Sequence, residues 1–169
     1  MLSLAEINAL DEAAFIEAVG WLYEHSPWVM ARAWKSRPFA DVEAVHAAAL
    51  AALDAASAEE RLALIRAHPE LAGKAAIARD LTAASASEQA GAGLDRLTPA
   101  EFARFGDLNA AYGARFAFPF IICARLNDKA SILAAMSRRL GHTPEEEIAE
   151  AIVQIGLIGR LRLAVAVSF

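Results

Sequence analysis

The sequence predicts an all-α fold, a single-domain compact bundle of about eight helices spanning residues 1–169. Three observations carry that prediction. Helix start signals recur along the chain, strand signals are nearly absent, and the 57% apolar fraction is rich in alanine, the best helix former. A chain of 169 residues is long enough to bury a sizeable core.

The elements follow in order. Ser3-x-x-Glu6 can cap a first short turn, and Asp11 a helix running through Tyr23. Ser26-Pro27 restarts the chain with proline at the first helical position, and the helix through Trp28 to Trp34 ends near Arg37-Pro38. Asp41 begins a helix to about Ala55, and Ser57-x-x-Glu60 is a capping box for the helix that delivers His68. Leu81 to Gly93 reads as a long loop or irregular helix, in which Ser85-x-x-Glu88 can itself be a capping box. Thr98-Pro99-Ala100-Glu101 and Thr143-Pro144-Glu145-Glu146 share one design, an N-cap hydroxyl, a first-turn proline and a glutamate at the third position. The first starts a helix to about Arg115. A further helix covers Lys129 to Leu140, stopped by Gly141, and the last shows Ile148, Ile152, Ile155 and Leu163 at helical spacing. Phe118-Pro119-Phe120-Ile121-Ile122 is predicted to be an extended connector lining a pocket. Its backbone polar groups need partners that a small polar ligand can supply.

The totals exclude several classes. A net charge of −5 argues against nucleic acid, whose affinity depends on clustered Lys and Arg. Mean hydropathy is positive, +0.33. Yet the longest apolar run, Phe116 to Ala124, contains Pro119 and falls far short of the roughly 20 residues a span requires, so no membrane partner is expected. The N-terminus lacks a basic segment followed by an apolar one, and Val167-Ser168-Phe169 is no peroxisomal address, so a cytoplasmic setting is expected. Cys123 is alone and sits in an apolar run, which favours a buried thiol over a nucleophile.

Chemistry concentrates in His68-Pro69-Glu70-Leu71-Ala72-Gly73-Lys74 and in Ser85-Ala86-Ser87-Glu88-Gln89. A residue before proline is biased out of the helical region, so the incoming helix should stop at His68 and free its imidazole to point into a cavity. Two roles stay open for it: a helix C-cap histidine favoured by the dipole, or a general acid/base with an unperturbed pKa of about 6.5. His25 suits a structural hydrogen bond at a helix junction, His46 a surface or packing role, and His142, after Gly141, an exposed one. Gln89 has no evident structural role and can hydrogen-bond an amide or urea-like substrate. Gly91-Ala92-Gly93 permits close backbone approach but follows no strand, as a phosphate fingerprint would. Arg160 and Arg162 point in different directions from an apolar helix, one suited to water and the other to holding an anion in a pocket. No His/Glu set has convincing zinc spacing, and no metal is expected.

Taken together, an ordered series runs nearly end to end: Glu24-His25-Ser26-Pro27-Trp28, Arg37-Pro38-Phe39, His68-Pro69-Glu70-Leu71, Ser85-x-x-Glu88-Gln89 with Ala92-Gly93-Leu94, Phe118-Pro119-Phe120-Ile121-Ile122-Cys123-Ala124-Arg125, and Leu161-Arg162-Leu163. In this the chain resembles the decarboxylases of 2-oxo-4-hydroxy-4-carboxy-5-ureidoimidazoline (OHCU) in purine and urate breakdown. It departs from them at Ala117, where that family often has glycine, and at Gly141-His142, where an asparagine commonly follows the Arg-Leu pair. The resemblance implies an all-helical, cofactor-free homodimer that converts OHCU to (S)-allantoin and CO2, and it admits association with other urate-pathway enzymes. It implies His68 as the essential acid/base and Glu88 as its carboxylate partner. Pro69, Ser85, Gln89, the backbone of Phe120, Ile121, Ile122 and Ala124, and Arg162 would hold substrate; Arg162 rather than Arg160 lies between two leucines as the motif requires. The alternatives are a non-catalytic helical module that binds a ureide or a partner enzyme, and a metal-dependent hydrolase built on His68, Glu70 and Glu88.

Overall fold

Side-chain caps decide where the helices begin. Ser3, Asp11, Asp41, Ser57, Thr82, Thr98 and Asp128 each accept a hydrogen bond from the backbone N–H three residues on. In this computed structural model, which describes residues 1–73 and 81–168, the helices are α1 (Leu4–Ala9), α2 (Glu12–Val19), α3 (Trp28–Trp34), α4 (Val42–Asp54), α5 (Ala58–Arg66), α6 (Ala83–Gly91), α7 (Pro99–Phe116), α8 (Lys129–Arg139) and α9 (Pro144–Ala166). Lys74, at the end of the histidine stretch, and the terminal Phe169 lie outside the described residues. Among the described residues, no helix is long and apolar enough to cross a membrane.

Four local expectations change. The helix capped by Asp11 stops at Val19, and Gly20–Leu22 form a single 3-10 turn short of Tyr23. Pro27 is the cap residue before Trp28, not the first helical residue. Leu81 to Gly93 contains a regular helix, α6, because Thr82 takes the cap and alanine propagates the helix behind it. Ser85 therefore lies inside α6, and the Ser85/Glu88 capping box does not form. Finally, β1 (Leu2–Ser3) and β2 (Val167–Ser168) pair in parallel, Leu2 opposite Val167 and Ser3 opposite Ser168. Two residues are too few to show alternation in a sequence.

The chain resolves into two compact units. One holds residues 1–67 and 155–169, the other residues 68–154, so α9 contributes to both. In the first unit α3 packs on α4 and on α2, around Phe15, Val29, Met30, Leu53 and Leu64. Arg37-Pro38-Phe39 acts there as a staple. Asn8 donates to the Phe39 carbonyl at 2.9 Å and accepts from its N–H at 2.8 Å. Arg37 donates to the carbonyls of Asn8 and Trp34 at 3.1 and 3.2 Å, with its guanidinium 4.1 Å from the Trp34 ring centre. Gly159 lies flat under Tyr23, where a Cβ would come within 2.7 Å of the phenol oxygen.

In the second unit α7 is the main support. Phe105, Leu108, Tyr112 and Phe116 recur at three- and four-residue spacing and are buried. The helix ends at Ala117 in the left-handed conformation, φ 60°. That is a conformation a glycine adopts freely and an alanine does not. Ala117→Gly is therefore expected to raise stability by about 0.5–1 kcal/mol, read from the denaturant midpoint.

Candidate active site

The histidine leaves its helix as the proline after it demands. α5 ends at Arg66, Ala67 caps it, and His68-Pro69-Glu70 continue without helical structure. His68 is 8% exposed, so its imidazole is buried, while Glu70 points to solvent. The loop it begins is pinned from two helices. Gln89 of α6 accepts from the Ala72 N–H at 3.1 Å and donates to the Glu70 carbonyl at 3.4 Å. Asn109 of α7 donates to the Leu71 carbonyl at 2.9 Å. Between them Ala72 adopts φ 51°, and a Cβ on Gly73 would come within 2.7 Å of the Glu70 Cβ, so the turn needs glycine there.

On α6, Ser85, Glu88 and Gln89 stand at i, i+3 and i+4 and share one face. Ser85 and Gln89 are buried and Glu88 is half-buried. Gln89, with no evident structural role from sequence, is thus the clamp of the histidine loop. α6 packs against the 3-10 turn Ala124–Leu126 that follows the Phe-Pro-Phe connector. Burial pushes the Cys123 thiol up, and the Glu88 carboxylate pushes it further in the same direction. The thiol is therefore a poor nucleophile.

From Phe118 to Cys123 the chain forms neither helix nor strand, and Phe120, Ile121, Ile122, Cys123 and Ala124 are all buried. Its backbone finds side-chain partners: Arg139 of α8 donates to the Ile121 carbonyl at 2.8 Å, and the Cys123 N–H donates to Gln154 of α9 at 2.9 Å. A cavity of about 540 Å³ opens beside Gln89, walled by Ala72, Ala86, Leu94, Leu97 and Phe102. It borders the clamp, while His68, Ser85, Glu88 and the connector do not line it.

His68, Pro69, Ser85, Glu88, Gln89 and the connector thus belong to the second unit. Arg162 belongs to the first. There it is buried and donates to Glu24 at 3.1 Å and to the Leu22 carbonyl at 3.4 Å. Arg160, two residues earlier and so on nearly the opposite side of the helix, is half-exposed and pairs with Glu43 at 2.7 Å. Glu24 is a partner the sequence did not single out. The available signal was its place at the head of the Glu24-His25-Ser26-Pro27-Trp28 motif, since an arginine buried in an apolar helix requires a carboxylate somewhere. Of the remaining histidines, His25 is exposed at φ 46°, and His46 lies 3.1 Å from the Gly156 carbonyl. His142, expected in open solvent, is only about one-third exposed and holds Glu147 at 2.8 Å. Among the described residues no three His, Cys, Asp or Glu side chains gather as metal ligands.

Residues 8–164 match the family model described as OHCU decarboxylase. A Haloferax volcanii protein named 2-oxo-4-hydroxy-4-carboxy-5-ureidoimidazoline decarboxylase is 41% identical over 163 residues, 96% of this chain and 95% of its own length. The uric acid degradation bifunctional protein PucL of Bacillus subtilis is 34% identical over 164 residues, covering 97% of this chain and 32% of that protein. Among solved structures, that of an (S)-allantoin synthase superposes with a TM-score of 0.80 at 28% identity, over 99% of this chain and 54% of that one.

Proposed function

We propose that this chain, which belongs to the OHCU decarboxylase family, decarboxylates OHCU to (S)-allantoin with His68 as acid/base and Glu88 as its carboxylate partner. The reaction breaks the bond between a ring carbon and its carboxylate. The electron pair left by CO2 passes toward the neighbouring carbon–nitrogen double bond, so the substrate is its own electron sink and no cofactor is called for. One proton must then reach one face of a ring carbon while the ring hydroxyl gives up its own. An imidazole that both donates and accepts near neutrality suits that exchange, and burial keeps bulk water from delivering the proton to either face.

The observation that carries this reading is the buried His68 at the head of a loop clamped by Gln89 and Asn109, in the same unit as the Ser85/Glu88/Gln89 face. A clamped loop fixes where the imidazole sits before substrate arrives. Pro69, Ser85, Gln89 and the backbone of Phe120, Ile121, Ile122 and Ala124 hold the ureide and ring amides. Ile121 serves through its N–H, because Arg139 occupies its carbonyl. The protein works as a homodimer in the cytoplasm, and the bifunctional relative supports association with another step of urate breakdown.

The test is direct. Purified protein mixed with freshly generated OHCU should release CO2 well above the spontaneous rate. Binding without turnover would instead leave the chain a ureide-binding module, and loss of activity on exhaustive chelation would favour a metal-dependent hydrolase.

A further inference from the structure

We propose that Arg139 is a positioning residue of this active site, which holds the Phe120–Ile122 backbone in its substrate-binding conformation and is itself aimed by Glu147 and Tyr112. The proposal rests on the reading of the connector as part of the substrate site. Arg139 ends α8, 2% exposed, and Glu147 lies in the first turn of α9 and is fully buried. The guanidinium is engaged on every side. Nε donates to Glu147 Oε1 and Oε2 at 2.9 and 3.2 Å, Nη2 donates to Oε1, and Nη1 donates to the Ile121 carbonyl at 2.8 Å. Its carbon stands 4.3 Å from the centre of the Phe120 ring. One side chain thus grips two successive connector residues, one by a hydrogen bond to its backbone and the other over its ring.

The carboxylate behind it is held from two further positions, one on α7 and one in the turn before α9. Tyr112 of α7 donates its hydroxyl to Glu147 Oε1, and His142 Nδ1 lies 2.8 Å from Oε2. Burial, and after it the Glu147 carboxylate, push the Tyr112 phenol up, so it remains a donor. The Tyr112 ring meets the connector edge-on, 6.0 Å from Phe118 and 5.3 Å from Phe120. A buried ion pair is weak evidence for stability, since apolar residues of similar volume often serve as well. What apolar residues cannot do is fix a carbonyl and a ring in register. Gln154 adds a second tie at the Cys123 N–H, so the stretch between the two ties has little freedom.

The experiment compares the full chain with Arg139→Lys and Tyr112→Phe by hydrogen exchange and by turnover of OHCU. Lysine keeps the charge but cannot serve Glu147 and Ile121 together. Exchange in the peptide covering 118–124 should rise about tenfold in Arg139→Lys while peptides from α2 and α4 stay unchanged. Over the same substitution kcat/KM should fall by about tenfold or more, with lower optical purity of the product. Tyr112→Phe should show the same pattern at about threefold; it removes one hydroxyl and gives the comparison if Arg139→Lys fails to fold. Exchange rising throughout the molecule with kcat/KM per folded protein unchanged would reduce Arg139 to a stabilising residue and overturn the proposal. So would wild-type values of both quantities in both variants. An inactive wild type would sink the function itself and with it the substrate role of Arg139, whereas an active wild type with indifferent variants would sink this inference alone.

Discussion

His68→Ala is expected to lower kcat/KM on OHCU by about 10²–10⁴-fold, the range that a positioned acid/base supplies, while leaving the helical circular dichroism intact. The imidazole is buried, but the loop that begins at His68 is held through its backbone by Gln89 and Asn109. The helix before it already ends at Arg66 with Ala67 as cap. Removing the ring therefore takes away the proton carrier without taking away what shapes the loop. If the variant instead lost its helical signal, His68 would be a structural cap and the acid/base role would fall.

The second large effect concerns stability. Glu24→Ala should destabilise the protein by about 3–5 kcal/mol, because it leaves the Arg162 guanidinium buried without its carboxylate. Glu24→Gln keeps an acceptor for the same N–H and should lose clearly less. Denaturant midpoints at unchanged m-value read both directly. A loss below about 1 kcal/mol in Glu24→Ala would mean that Arg162 finds another partner and that Glu24 does not aim it.

Much of the fold could be read from the chain because its caps are local. Ser57/Glu60 and Thr98/Glu101 form their reciprocal boxes where the residues stand, since N-cap chemistry involves only four consecutive positions. Ser85/Glu88 shows the limit of the same pattern: Thr82 three residues earlier offers an equal hydroxyl, and propensity alone does not say which cap wins. That Arg160 and Arg162 point in different directions was legible because helical geometry separates them, though it did not say which is which; Arg160 faces solvent and Arg162 is buried. Three partnerships were not legible, those of Gln89 with the 70–72 backbone, Glu24 with Arg162, and Arg139 with Ile121 and Glu147. In each, at least one contact joins residues that are distant in sequence, and periodicity carries no information about such contacts. His142 is the same case at short range, drawn out of solvent by a carboxylate five residues on.

A buried acid/base on a clamped loop should govern the handedness of the product as well as its rate of formation, since spontaneous decay of OHCU has no chiral bias. The decisive measurement is circular dichroism of the allantoin formed when purified protein meets freshly generated OHCU. An excess of (S)-allantoin that grows with enzyme concentration is expected; racemic allantoin formed at the background rate would contradict a decarboxylase centred on His68.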